Sequence, residues 1–246
     1  MRIALIADIH GNVVALDEVL AELEKKAVDQ IVCLGDVAAG GPRPAQTLER
    51  LRELDCPVVM GNADQWLLTP QNAVPSDETL RWFSDIGSWC RNRLSDEQLS
   101  YIESFVPTFE QRIDDDATIL CYHGSPRSNT EHLTAMTPED DLDEIFASVD
   151  ADVLAGGHTH VQLFRRYTNA ILLNPGSVGL PYEIEPETGV VYNRPEAEYA
   201  LVEARGGSIS VSLQRVPFDV ETVAKDVRES DMPHADQWLE DWKVEN

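Results

Sequence analysis

Apolar residues along the chain fall into short unbroken runs: Ile3–Ala7, Ile31–Leu34, Val58–Met60, Thr118–Tyr122, Val153–Ala155 and Ile171–Leu173. Each run stops at Gly, Asp, Asn or His. Their shortness, β-branched content and lack of polar alternation predict strands buried on both faces. Between the first of them the period lengthens. Leu16, Val19, Leu20 and Leu23 recur at helical spacing between Asn12 and Ala27, with Asn12 as N-cap. A second helix is predicted from about Pro44 to Leu54, carrying Leu48, Leu51 and Leu54, with proline in its first turn. Strand, helix, strand, helix, strand is the alternation of α/β units.

The rhythm breaks over residues 65–112, where Trp66, Trp82, Phe83, Trp89, Tyr101 and Phe105 stand at helix-like spacing. A helical insertion beside the carboxyl edge of the sheet is expected there, its aromatic side chains serving as helix core rather than as a base-stacking surface. Further on, Tyr199–Ala204 and Ser208–Val216 flank Gly206-Gly207 and predict an antiparallel hairpin. An acidic helix is expected after about residue 220. The polar stretch from Tyr182 to Arg194 reads as a lid or a plain connection.

Composition sets the class. A chain of 246 residues with 43% hydrophobic and 26% charged content is expected to form one domain, residues 1–246, around a real core. With 44 Asp+Glu against 19 Lys+Arg, the formal net charge is -25. That balance reads as a solvated acidic surface. It also disfavours a nucleic-acid polymer as partner, because the long-range field repels polyanions. A small phosphorylated substrate still binds where metal ions reverse the local field. The four cysteines, Cys33, Cys56, Cys90 and Cys121, form no C-x-x-C pair and read as free thiols. No apolar run has the length of a signal peptide or a membrane span, so a cytoplasmic protein without membrane contact is expected. Oligomeric state is not readable.

The strand ends carry the chemistry. In order they read Asp8-Ile9-His10-Gly11-Asn12, Gly35-Asp36, Gly61-Asn62-Ala63-Asp64, His123-Gly124, Gly156-Gly157-His158-Thr159-His160 and Asn174-Pro175-Gly176-Ser177. Ligands of α/β sheets bind outside the carboxyl ends of the strands, so these groups should converge on one crevice. Carboxylate, imidazole and amide oxygen together suit a hard or borderline divalent ion. Asp8 and His10 reach one ion only if the chain turns between them, which the following glycine eases. Each motif alone is weak; six in order, each closing a predicted strand, mark a metal site.

The ordered set D-x-H, G-D, G-N, H-G and G-G-H-T-H resembles the calcineurin-like metallophosphoesterase superfamily, and more narrowly its small prokaryotic phosphodiesterase branch. "GDVAAGGPRP" and "NPGSVGLP" fit the same branch. The resemblance spans residues 1–180. It implies a four-layer α/β/β/α sandwich with a helical insertion, and a dinuclear centre. Asp8, His10 and His160 would hold one ion, Asn62, His123 and His158 the other, with Asp36 bridging. It further implies hydrolysis of small or nucleotide-like phosphate esters, most of all diesters, by in-line attack of a hydroxide shared by the two ions. Asp36, Asn62 and His123 would be the catalytic core. Manganese is the expected metal, with Fe, Zn, Ni, Co and Mg as alternatives. Asp64 would support the cage, orienting a histidine ligand. Asn12 is either the helix cap or a donor to phosphate. Arg127 is either a phosphate clamp or a solvated loop arginine. One departure matters: much of the superfamily has G-N-H-D or G-N-H-E where this chain has Gly61-Asn62-Ala63-Asp64. No imidazole at position 63 can protonate the leaving group, and His132 is one replacement. The alternative to an enzyme is a metal-binding regulatory or interaction protein with weakened or lost catalysis.

Overall fold

The computed structural model describes residues 1–69, 78–115 and 117–242. Residues 70–77 of the expected insertion therefore lie outside the described residues. Two sheets form the centre. The first contains β1 (Arg2–Ile6), β2 (Gln30–Cys33), β10 (Glu196–Arg205) and β11 (Ser208–Pro217), ordered β11-β10-β1-β2. The second contains β3 (Phe109–Asp114), β4 (Ala117–Cys121), β5 (Val153–Ala155), β6 (Leu163–Tyr167) and β7 (Ala170–Asn174), ordered β3-β4-β5-β7-β6. A separate two-stranded ribbon pairs β8 (Tyr182–Ile184) with β9 (Val191–Asn193). The stretch from Tyr182 to Arg194 is thus largely a hairpin.

The strand period of two explains the layers. On β1, Ile3 and Leu5, followed by Ala7, turn toward the second sheet, where they meet Ile119, Cys121, Val153 and Leu173. Ala4 and Ile6 turn the other way, onto the helices. Those helices are α1 (Val13–Lys26), α2 (Pro44–Arg52), α3 (Asn62–Leu68), α4 (Glu78–Arg91), α5 (Asp96–Glu103), α7 (Val220–Glu229) and α8 (Ala235–Glu240). Leu16, Leu48, Ile86, Ile102, Val227 and Trp238 carry that contact. Across the molecule, α6 (Glu139–Ile145) buries Leu142 and Ile145 against Tyr122, Leu154 and Leu172 of the second sheet. The succession helix, sheet, sheet, helix is the expected sandwich.

Where prediction and structure differ, the cause is physical. Residues 109–112 belong to β3 and not to the insertion, and the first insertion helix begins at Asn62. β3 and β6 escape notice in the sequence because they are the edges of the second sheet. Their polar residues alternate with apolar ones, as in FEQRID and LFRRY, so they show no continuous apolar run. Val58–Met60 makes only bridges, Cys33 to Val58 and Val59 to Val106, without a ladder of its own. Gly206 (φ 59°) and Gly207 (φ 76°) supply the two left-handed residues that a tight β10–β11 turn requires. All four cysteines are free.

One buried carboxyl makes the fold pH-sensitive. Glu198 on β10 is 6% exposed and accepts from Arg215 Nε at 2.8 Å. Burial pushes its carboxyl up to about 7 although Arg215 pulls it down. Because the folded value lies above the unfolded one, the stability tied to Glu198 is full below about pH 4.3 and is lost as pH rises through about 7. Urea unfolding of Glu198→Gln should therefore lose less stability than the parent between pH 5 and pH 8. The difference should be on the order of 3 kcal/mol at most. Parallel stability curves would remove the assignment.

Candidate metal centre

The parallel strands β1, β2, β4 and β5 all end on one edge of the sandwich, and the loops that leave them bring six of the expected ligands into two groups, with the seventh, Asn62, against His123. The backbone there is unusual. Asp8 (φ 55°), His10 (φ 49°), Asp36 (φ 55°), His158 (φ 69°) and His160 (φ 56°) all lie in the left-handed region. The glycines expected to ease the turns do so at Gly11 (φ 64°) and Gly35 (φ 99°), and the ligand residues share the turning with them. Such non-glycine residues are held at a cost on the order of 1 kcal/mol or more each, so surrounding structure must enforce them.

The loops provide that enforcement through one another. Asp8 N donates to Gly35 O (2.9 Å), His10 N to Asp36 O (3.0 Å) and Gly157 N to His123 O (2.8 Å). Asp64 accepts from Asp36 N (2.7 Å), Val37 N (2.9 Å) and Gly61 N (3.3 Å). Asp64 thus fixes the loop that carries Asp36, and the expectation that it orients a histidine is corrected. A side chain at Gly61 would place its Cβ 2.1 Å from Asp36 Oδ1, which is why that position is glycine. Two supports went unassigned in the sequence. Asn174 donates to Gly157 O (2.6 Å) and Thr159 Oγ1 (3.1 Å), and Ser177 Oγ donates to Asp8 O (2.7 Å). Their signal was present in the strand-end text Asn174-Pro175-Gly176-Ser177.

Two groups of ligand atoms result: Asp8, His10 and His160, and Asp36, His123 and His158. Asp36 Oδ2 stands 3.8 Å from His10 Nε2 and 3.4 Å from His123 Nε2, so it faces both. Asn62 Oδ1 lies 3.0 Å from His123 Nε2, adding the amide oxygen to the second group.

The hydrogen-bond pattern tests whether these residues suit cations. His10 Nδ1 faces Ala39 O at 2.7 Å, His123 Nδ1 faces Leu34 O at 2.7 Å and His160 Nδ1 faces Leu180 O at 2.9 Å. A carbonyl oxygen only accepts, so each Nδ1 carries the hydrogen, and each neutral ring presents a lone pair at Nε2. Yet His10 Nε2 and His160 Nε2 are 3.0 Å apart, and His123 Nε2 confronts the Asn62 carbonyl at the same distance. His158 Nε2 and Asp8 Oδ1 are buried with no partner among the described residues. Lone pairs converge, and only positive charge reconciles them. Without a metal that charge is a proton. Burial draws the His123 imidazole down, but the Asp36 carboxylate overrides it and lifts it to about 10. His160 is raised by Asp8 against the same pull of burial. Burial and then the charge of His123 depress His158 to about 4. The donor set fits two divalent cations, whose binding displaces such protons.

The remaining candidates separate. Asn12 caps α1, accepting from Ala15 N (3.1 Å), while its amide donates to Gly179 O (3.0 Å). Both functions of that side chain are used inside the fold. Arg127 is held by Glu131 and Glu144, at 2.8 Å each, and is not brought into the ligand cluster. His132 is brought in: its ring lies 4.4 Å from that of His158. Trp238 of α8 donates to Gly40 O (2.9 Å), bracing the turn whose Ala39 carbonyl holds His10. His158 and His160 border a cleft of about 1450 Å³, walled also by His132, Tyr182, Trp82 and Phe83.

The calcineurin-like phosphoesterase superfamily domain matches residues 1–196. The chain belongs to that superfamily. An uncharacterized protein, MJ0912, of Methanocaldococcus jannaschii is 26% identical over 96% of this chain and 95% of its own length. Phosphodiesterase YfcE of Escherichia coli is 27% identical over 74% of this chain and 81% of its own. Among solved structures, a metallophosphoesterase from Sphaerobacter thermophilus superposes with a TM-score of 0.74 at 28% identity, covering 98% of this chain and 97% of that one. The hypothetical protein PH1004 from Pyrococcus horikoshii shares the fold, with a TM-score of 0.81 at 19% identity, over 97% and 96% of the two chains.

Asp64→Asn should unseat Asp36, since an amide cannot accept from all the N–H groups that Asp64 now serves. A purified variant should retain less metal by elemental analysis and lose about 1–3 kcal/mol of stability. Unchanged metal content would show that Asp36 is placed by other means.

Proposed function

We propose that the chain is a dinuclear metal-dependent phosphoric ester hydrolase, most of all a phosphodiesterase acting on small or nucleotide-like esters. The observation that carries this reading is the convergence of imidazole lone pairs and carboxylates at two adjacent sets of atoms within 4.8 Å. Asp8, His10 and His160 would hold one ion, Asn62, His123 and His158 the other, with Asp36 between them. Bound there, divalent ions supply an activated water and neutralise the phosphate oxygens. The donor set lacks thiolate, and manganese suits it, with Fe, Co, Ni, Zn and Mg as alternatives. The likeness to a relative named phosphodiesterase supports diesters over monoesters.

What the chain's own residues do follows from their placement. Asp36, set between both groups, fixes their separation, while Asn62 and His123 fix the second group against it. Ala63 offers no proton to a leaving group; its N–H donates to Asp36 Oδ1 at 2.8 Å and so holds that carboxylate. His132, its ring tilted against that of His158 and open to the cleft, is our candidate proton donor. The net charge of -25 disfavours a polymeric nucleic acid as substrate. No described helix is long and apolar enough to cross a membrane. The free thiols accord with a reducing compartment, and the cytoplasm is the proposed location.

A panel of phosphate esters with Mn, Fe, Co, Ni, Zn or Mg tests the reading. Turnover should be highest with Mn and with aryl diesters, whose leaving groups need little protonation. A protein that binds metal but turns over no ester would instead be a binding or regulatory member of the superfamily. His132→Gln should slow esters of poor leaving groups by about 10²-fold, the lower end for general acid catalysis, and aryl esters far less. An equal loss on both would remove His132 as donor.

A further inference from the structure

The cleft beside the metal centre extends well beyond the space a phosphate needs. Its volume of about 1450 Å³ exceeds the roughly 300–1,000 Å³ usual for small-molecule sites. One wall is α4 of the insertion, which presents Arg81, Trp82 and Phe83. Arg81 forms no hydrogen bond or ion pair with a described residue, and it is the only lysine or arginine among the described lining residues. Asp85, one helical turn on, is taken by His234 at 2.9 Å. Other arginines are occupied: Arg127 by Glu131 and Glu144, Arg194 by Glu183, and Arg215 by Glu198.

The carboxylates show the complementary bias. In a chain with 44 Asp+Glu, the described lining of this cleft includes one, Asp241. An arginine with no partner among the described residues, in a cleft whose described lining holds a single carboxylate, is suited to an anion. The same cleft also exposes apolar side chains. Phe83 is 57% exposed and Met136 87% exposed, and both line the same cleft.

We infer that the substrate carries a second anionic group, apart from the scissile phosphate, which Arg81 binds, and a flat apolar body that lies against Phe83. Arg81 and Phe83 are then specificity residues supplied by the insertion. The inference rests on the phosphoesterase reading for the position of the scissile group, and it names the rest of the molecule. A nucleotide with phosphates at both ends of its sugar has this chemistry.

Three aryl esters with one leaving group test it on the metal-loaded full chain: bis(p-nitrophenyl) phosphate, the p-nitrophenyl ester of thymidine 5′-phosphate, and that same ester bearing a 3′-phosphate. The 3′-phosphate should raise kcat/KM by about tenfold, the worth of one charge-assisted contact. Arg81→Ala should bring that ratio to about one, while Arg205→Ala, in the β10–β11 hairpin, should leave it in place. Phe83→Ala should raise KM for both nucleoside esters. Calorimetry with thymidine 3′,5′-bisphosphate and thymidine 5′-phosphate reads the same preference without turnover. Equal turnover of the two nucleoside esters, or a preference that survives Arg81→Ala, overturns the inference and leaves the phosphoesterase reading intact. No turnover on any ester overturns that reading instead, and the binding ratio then decides the fate of Arg81 alone, a ratio near one rejecting it.

Discussion

Everything at the strand ends depends on one electrostatic constraint: buried imidazole lone pairs are aimed at one another and at carboxylates. Neutral histidines with Nδ1 committed to carbonyls cannot settle 3.0 Å apart at Nε2 without positive charge between or upon them. Asp8 is fully buried and His10 only 8% exposed, so solvent screens this conflict poorly. The sandwich has to supply the stiffness that holds such a cluster together, and it does so with two facing sheets whose β1 core residues are fully buried. Five ligand residues remain in left-handed backbone because the loops are hydrogen-bonded to each other. Strain is concentrated where the chemistry is, and the regular strands beneath bear it.

Position 63 has a structural role that does not depend on its side chain. Ala63 sits at the start of α3, and its backbone N–H, unlike a side chain there, serves Asp36 directly. The insertion that begins with α3 contributes Asn62 at one end and the cleft wall of α4 further along. The proposed metal ligand Asn62 and the proposed specificity residues Arg81 and Phe83 thereby belong to one segment. The C-terminal helix α8 takes part as well, through Trp238 behind the His10 loop. That helix lies beyond the residues that match the family model, 1–196, although the relatives from Methanocaldococcus jannaschii and Sphaerobacter thermophilus match 96% and 98% of this chain.

Much of this was legible in the sequence, for stated reasons. Central strands such as β1, β4 and β7 are apolar on both faces, so their runs end visibly at the candidate ligands Asp8 and His123 and at the supporting Asn174. Edge strands β3 and β6 were hidden because a half-solvated strand breaks its own apolar run. The aromatic residues of the insertion were read as core, which holds for Tyr101 and Phe105, packed edge to face at 5.1 Å, and fails for Phe83. Residues with two plausible uses were the hardest. Asn12 resolved as a cap, Arg127 as a partner of glutamates, and Asp64 as a backbone acceptor, because hydrogen-bond partners distant in sequence decide such cases.

Titration calorimetry of Mn²⁺ into chelator-stripped protein tests the central claim most directly. Two ions per chain should bind, and His10→Ala should reduce the stoichiometry toward one, because His10 belongs to a single group of ligands. Saturation at one ion per chain, or the absence of binding by a folded protein, would contradict the dinuclear centre.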